Sequence, residues 1–309
     1  MSSLRLKGSQ RSFGTPAFSG KTGDGPLSQE GRRPPFPIFD AHMHLDPDGR
    51  NVEAAMEFSK AGGTGLMLVS KPYDRIPAHS VGDFILNFEE TVRLAEAVRD
   101  RTGLQVMVAV GPHPAELPRL AKEQGLEKAK TIMTGAVEAA GKMVAERKAQ
   151  ALGEIGRPHF PVDAALWEAS NEILAAGLGI AGELDCAAIL HTETATPEVF
   201  ADLAAMAKKA GQPPERTVKH FAPPIVREEE NSGLFPSVLA GKGAFESAIS
   251  QGTRFMVETD YIDDIKRPGA VLGPATIPRR TLDLFSRGLL TEKQAFIIHK
   301  DNPEKVFGK

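Results

Sequence analysis

The sequence predicts one (β/α)8 barrel, a TIM barrel. Three observations carry that expectation. From Pro37 onward, short and almost continuously apolar runs alternate with stretches that repeat apolar residues at three- and four-residue spacing, as parallel strands covered by helices on both faces require. Eight such runs fit within 309 residues, and one barrel of this kind commonly uses about 250. Histidines and acids collect at the C-terminal ends of the runs, where this fold builds its sites.

The runs are PIFDAHMHL (37–45), GLMLVS (65–70), VMVAVGP (106–112), AQALGEIG (149–156), AAILHTE (187–193), TVKHF (217–221), LFPSVLA (234–240) and RFMVETDY (254–261). Between them, 51–62, 82–103 and 162–177 read as helices with glycine near their ends. Asp163 and Thr196-Pro197 are expected helix starts, by a capping oxygen and by proline in the first turn. The last helices are expected near 276–287 and 291–300. GKGAFESAIS (241–250) holds either the seventh strand or its helix alone. Long connections at 70–83 and 260–280 leave the C-terminal rim, where loops shape substrate pockets. Residues 1–36 are expected to form an irregular N-terminal arm, and 37–309 the barrel domain.

Composition narrows the classes. A net charge of −3 gives no general basic field for nucleic acid or an anionic membrane. The single cysteine, Cys186, excludes an internal disulfide framework and fits a reducing compartment. No run approaches the roughly 18 apolar residues of a membrane span. The N-terminal segment lacks the apolar core of a secretory signal. Its Ser, Gly and Arg content leaves an organellar transit peptide as the alternative to an irregular arm. The expected location is the cytoplasm.

Five of the 8 histidines, His42, His44, His113, His191 and His220, close apolar runs. His42 and His44 lie two apart on one strand and so share a side, the barrel mouth, with Asp40 on the same parity one step deeper. Asp-x-His-x-His at a first strand end is a metal-ligand pattern; the bland alternative is a buried, hydrogen-bonded histidine. Glu154 closes the fourth run, where an uncompensated carboxylate would be costly; facing a dication it is favourable, and its two oxygens can bridge a pair. His191 and His220 close the fifth and sixth runs with imidazoles that suit Zn, Mn or Fe. Asp260 ends the eighth run and can ligate one metal and take a proton from the attacking water. Glu258, two residues earlier, is placed to support a ligand from behind. His113, between Pro112 and Pro114, is expected to contact a substrate oxygen or act as leaving-group acid. Arg157, His159 and Arg279 are candidates for binding an anionic substrate, as are Lys219, Arg227 and Arg280; solvated surface charge is the alternative for each.

These motifs resemble the TatD family of the amidohydrolase superfamily: DAHMHLD (40–46), GPHP (111–114), GEIG (153–156), His191 in LHTE, His220 in KHF, ETD (258–260) and DNPEKVFG (301–308). The resemblance spans 37–308, with every motif in family order. It implies a dinuclear site in which His42, His44, Glu154 and Asp260 hold one metal and Glu154, His191 and His220 the other, with His113 at the substrate phosphate. Better-studied members are similar to metal-dependent DNases. GRPHFPVD replaces the family's aromatic segment after GEIG, and the loop after ETD is longer, as in the divergent TatD-related group typical of archaea.

The expected function is therefore hydrolysis by water activated between two divalent cations, Zn favoured over Mn, Mg or Fe, on a phosphoester of a small-molecule or nucleotide-type substrate. Extended nucleic acid is disfavoured by the charge and by only 2 Tyr and 1 Trp. Hydrolysis of a cyclic amide, lactone or other C–N bond is the alternative, and a non-catalytic metal-binding barrel the competing class.

Overall fold

The computed structural model describes residues 34–264, 266 and 272–308. The expected arm, with its transit-peptide alternative, lies outside them as far as residue 33. The strands are β1 (Phe39–His44), β2 (Gly65–Val69), β3 (Gln105–Val110), β4 (Ala151–Gly156), β5 (Ala187–His191), β6 (Thr217–Ala222), β7 (Phe235–Leu239), β8 (Met256–Glu258) and β9 (Tyr261–Ile262). The helices are α1 (Val52–Lys60), α2 (Val81–Thr102), α3 (Glu116–Gln124), α4 (Leu126–Ala145), α5 (Ala164–Glu183), α6 (Pro197–Ala210), α7 (Ala244–Gln251), α8 (Thr276–Ser286), α9 (Glu292–Phe296) and α10 (Asn302–Phe307).

Every strand pair is parallel, in the order β8-β7-β6-β5-β4-β3-β2-β1-β9. β8 and β9 are two halves of the expected eighth strand: β8 pairs with β7, while β9 pairs with β1. The sheet thereby comes round on itself, giving the (β/α)8 TIM-barrel fold.

Two apolar layers hold it. Phe39, Met67, Met107, Ile189, Phe235 and Met256 fill the interior together with Val306 and Phe307 of α10. Leu66, Val108, Leu152 and Leu190 face outward against the helices. Each such side chain, fully buried, contributes about 1.5–3 kcal/mol. Near-continuous apolar strands are the direct consequence of this double coverage.

The expected helix starts are present: Asp163 accepts the Leu166 N–H at 2.9 Å, and Thr196 accepts that of Val199 at 3.3 Å with Pro197 in the first turn. The 241–250 segment supplies α7, and the seventh strand precedes it. Two features differ from the expectation. Helices α3 and α4 lie between β3 and β4, parted at Gly125, whose φ of 84° suits glycine. The last helix also runs on, through a π-helical turn at Ile297–Asp301, into α10. Among the described residues no helix is long and apolar enough to cross a membrane.

Candidate metal centre

The strands that deliver the expected ligands deviate from regular pairing where those ligands stand. Register shifts fall between Asp40 and Met43 on β1, between Gly153 and Ile155 on β4, and between Lys219 and Ala222 on β6. Such irregularities re-aim side chains and are enriched beside functional sites. On β1 the effect is legible residue by residue. Phe39 and Ala41 enter the interior, while Met43 faces the helices. His42 and His44 can thus both reach the mouth. Strict alternation puts Asp40 beside them; the shift separates them. Asp40 turns instead to Thr259, accepting its N–H at 3.0 Å and its hydroxyl at 2.6 Å. This ties β1 to the break between β8 and β9, where Asp260 takes a φ of 48°, a left-handed conformation that Asp tolerates better than most residues. The Asp260 N–H donates to the His42 carbonyl at 3.1 Å.

Six side chains meet at the mouth, all but His191 buried. His42 Nε2 and His44 Nε2 are 3.1 Å apart. They lie 3.7 and 3.5 Å from Glu154 Oε2 and 3.9 and 3.6 Å from Asp260 Oδ1. On the other side of the same carboxylate, Glu154 Oε1 is 2.8 Å from His191 Nδ1 and 3.1 Å from His220 Nε2. Those two nitrogens are 3.1 Å apart. Ligand atoms about 2.1 Å from a common ion stand roughly 3–3.6 Å from one another, and the spacings here are of that size. The triplets His42–His44–Glu154 and His42–His220–Asp260 each bring their donor atoms within 4.8 Å, as does His113–Glu154–His191.

The hydrogens are placed to leave lone pairs inward. His44 Nδ1 meets the Val69 carbonyl at 2.9 Å, so Nδ1 carries the hydrogen and Nε2 is bare. His220 Nδ1 meets Glu258 Oε1 at 3.0 Å, which leaves its Nε2 bare when the ring is neutral. Glu258 Oε1 also accepts the Phe221 N–H at 2.7 Å. Glu258, expected to support a ligand from behind, stands against the outer nitrogen of His220.

The cluster's electrostatics call for positive charge. Burial disfavours an imidazolium at His220, yet Glu258 and Glu154 outweigh it and push the ring up to about 10. Burial would raise Glu154, but His220, His42 and His191 hold it well below the usual range. Burial pushes His44 well down and His191 down to about 3, and lifts Asp260 to about 6. Bare imidazole nitrogens converging on carboxylates, at ligand spacing, fit a divalent cation.

His113 stands at the edge, its ring 4.4 Å from that of His191. Its Nδ1 accepts the Ala115 N–H at 3.2 Å, so the hydrogen sits on Nε2. Burial keeps the ring neutral by lowering it below its ordinary value. His159, exposed on the loop after β4, places Nδ1 2.7 Å from His191 Nε2.

Arg157 is 3% exposed. It grips Glu193 with two nitrogens at 3.0 and 2.6 Å, meets Asn171 at 3.1 Å and Asp202 at 2.8 Å, and stacks over Trp167. A cavity of about 500 Å³ lies beside these residues, between α5 and α6. Lys219 is buried, and its ammonium donates to the His220 carbonyl at 2.6 Å. Arg280 donates to the Ala240 carbonyl, and Arg227 and Arg279 are exposed. Sequence reasoning did not single out Thr259, the Val69 carbonyl or Glu193. Thr259 and Glu193 flank motif residues, a weak signal; a carbonyl leaves none.

A parallel barrel with buried His, Glu and Asp at its C-terminal mouth defines a metal-dependent hydrolase. The chain belongs to the TatD related DNase family, whose model matches residues 39–308. It is 39% identical over 276 residues to an uncharacterised protein of Methanocaldococcus jannaschii, covering 88% of this chain and 96% of the relative. Among solved structures it is similar to the TatD homologue YjjV of Escherichia coli, with a TM-score of 0.60, 21% identity and 87% and 97% of the two chains covered. It is also similar to the Escherichia coli phosphotriesterase homology protein complexed with phosphate in its active site, with a TM-score of 0.58, 14% identity and 89% and 99% covered.

Proposed function

We propose that the protein hydrolyses a phosphoester bond in a small or nucleotide-type substrate, in the cytoplasm, with two divalent cations bound at the mouth. One observation carries the reading. The two oxygens of Glu154 face different donors, Oε2 toward His42 and His44, whose nitrogens also lie near Asp260 Oδ1, and Oε1 toward His191 and His220. A carboxylate so placed could help to hold both members of a cation pair, and the imidazole-rich donor set would favour Zn while admitting Mn or Fe.

When bound, such a pair supplies Lewis acidity and makes a shared water easier to deprotonate. Asp260 sits beside His44 and can accept that water's proton and pass it toward the leaving group. His113 presents Nε2–H as a neutral donor to a non-bridging or departing oxygen. Glu258 keeps His220 facing inward. The phosphoester rather than the C–N bond is supported by membership of a DNase family and by the phosphate in the similarly folded Escherichia coli protein. The net charge of −3 favours a small substrate over a long strand.

Metal-replete protein offered a bis-aryl phosphate, a DNA substrate and a panel of dihydropyrimidines and lactones tests the assignment. Turnover is expected on the phosphate diester. Turnover confined to the amides or lactones replaces this reading with the C–N or lactone alternative.

A further inference from the structure

His191 has two ring nitrogens, and both are engaged. Nδ1 faces Glu154 Oε1 at 2.8 Å and His220 Nε2 at 3.1 Å. Nε2 faces away, 2.7 Å from Nδ1 of His159, with the two rings 4.9 Å apart and inclined at 63°. On the two-cation reading, Nδ1 of His191 is a ligand atom and carries no hydrogen. The ring's one hydrogen is then on Nε2, pointing at His159. For that hydrogen bond to form, His159 Nδ1 must accept, and its own hydrogen moves to the outer nitrogen.

His159 is exposed, yet the loop that carries it is firmly held. The Arg157 N–H donates to the His191 carbonyl at 3.0 Å. The Arg157 side chain is clamped by Glu193, Asn171 and Asp202. Pro158 and Pro161 restrict the backbone on either side of His159 and Phe160, and the Phe160 ring packs edge-on against His159 at 5.2 Å. The Arg157 guanidinium, buried and held by these partners, anchors the loop two residues before His159.

We propose that His159 is a positioning residue for the His191–His220 cation site, the hydrogen-bond acceptor that fixes the tautomer and ring plane of His191. The inference rests on the two-cation reading of the same site. Ligating histidines usually have such a partner on their second nitrogen, and its loss typically costs about 10–100-fold in metal affinity. Here the anchored surface loop after β4 supplies it.

The test is a calorimetric titration of the metal-free full chain with Mn2+, for the wild type, His159→Leu and His159→Asn. The asparagine places its side-chain oxygen near the position of the lost Nδ1; the leucine fills the space with no acceptor. The wild type is expected to take two ions. In His159→Leu the affinity for one of them falls by about 10–100-fold, while the other is unchanged. His159→Asn recovers most of the loss. Two ions bound by His159→Leu with wild-type affinities overturn the inference alone, and a KM change without a metal effect then returns His159 to substrate contact. A wild-type chain that takes a single ion overturns the two-cation reading and this inference with it.

Discussion

Asp40 and Thr259 stand 219 positions apart in the chain and are joined twice, N–H to Oδ1 at 3.0 Å and hydroxyl to Oδ2 at 2.6 Å. The pair fastens the first strand to the break in the last one, and so sets the spacing between His42 on one side and Asp260 on the other. Asp40 also accepts the His42 N–H at 3.2 Å. Burial lifts its carboxyl to about 7 against these hydrogen bonds.

Removing that acceptor leaves buried donors unpaired, at about 1–3 kcal/mol each. Asp40→Ala is expected to lower the urea unfolding midpoint clearly. Asp40→Asn keeps one acceptor oxygen for the two N–H groups, and the Thr259 hydroxyl can rotate to accept from the new amide. It should lose much less. Equal losses in the two variants would remove the latch from the account.

Asp260 is assigned the proton of the attacking water. Asp260→Asn retains an oxygen able to ligate but cannot accept a proton. With metals replete, kcat should fall by about 10²–10⁴-fold, with the unfolding midpoint little altered. Unchanged turnover would assign the proton elsewhere.

Glu258 Oε1 holds both His220 Nδ1 and the Phe221 N–H. Glu258→Gln retains an oxygen there, whereas Glu258→Leu does not. Metal affinity should fall by about 10–100-fold in the leucine variant and far less in the glutamine. Dialysis against a graded chelator series separates the two; identical release curves would contradict the support role.

His299 offers a pH test away from the mouth. It is fully buried against Thr281 and the Phe39 backbone, and burial lowers it from 6.5 to about 4. The folded state therefore binds fewer protons than the unfolded chain between those values. The stability it confers is complete above pH 6.5 and is lost as pH falls toward 4, by about 3 kcal/mol in all. Urea midpoints measured across that range should fall less steeply for His299→Gln than for the wild type. Parallel slopes would contradict it.

The barrel was legible because strands covered on both faces must be apolar throughout, and the cluster at its mouth because five histidines close such runs. What the sequence hides is local backbone irregularity. Period-two reasoning puts Asp40 beside His42, and a register shift puts it against Thr259. It hides long-range neutralisation as well. Arg157 and Lys219 read as contacts for an anionic substrate or as solvated surface charges, but both are buried, Arg157 with Glu193 and Asp202 brought to it from 36 and 45 positions away. The helices α3 and α4 are not among those expected from the sequence, although each buries one apolar face, Leu117 and Leu120 on α3 and Ile132, Met133, Ala136 and Val137 on α4.

The central claim is that Glu154 bridges two cations. A crystal structure of the metal-loaded protein, with anomalous scattering to count the ions, tests it directly. The account predicts two ions per chain, roughly 3.5–4 Å apart, one on each oxygen of Glu154, with His42, His44 and Asp260 around the first and His191 and His220 around the second. A single ion, or a pair that Glu154 does not touch, would contradict it.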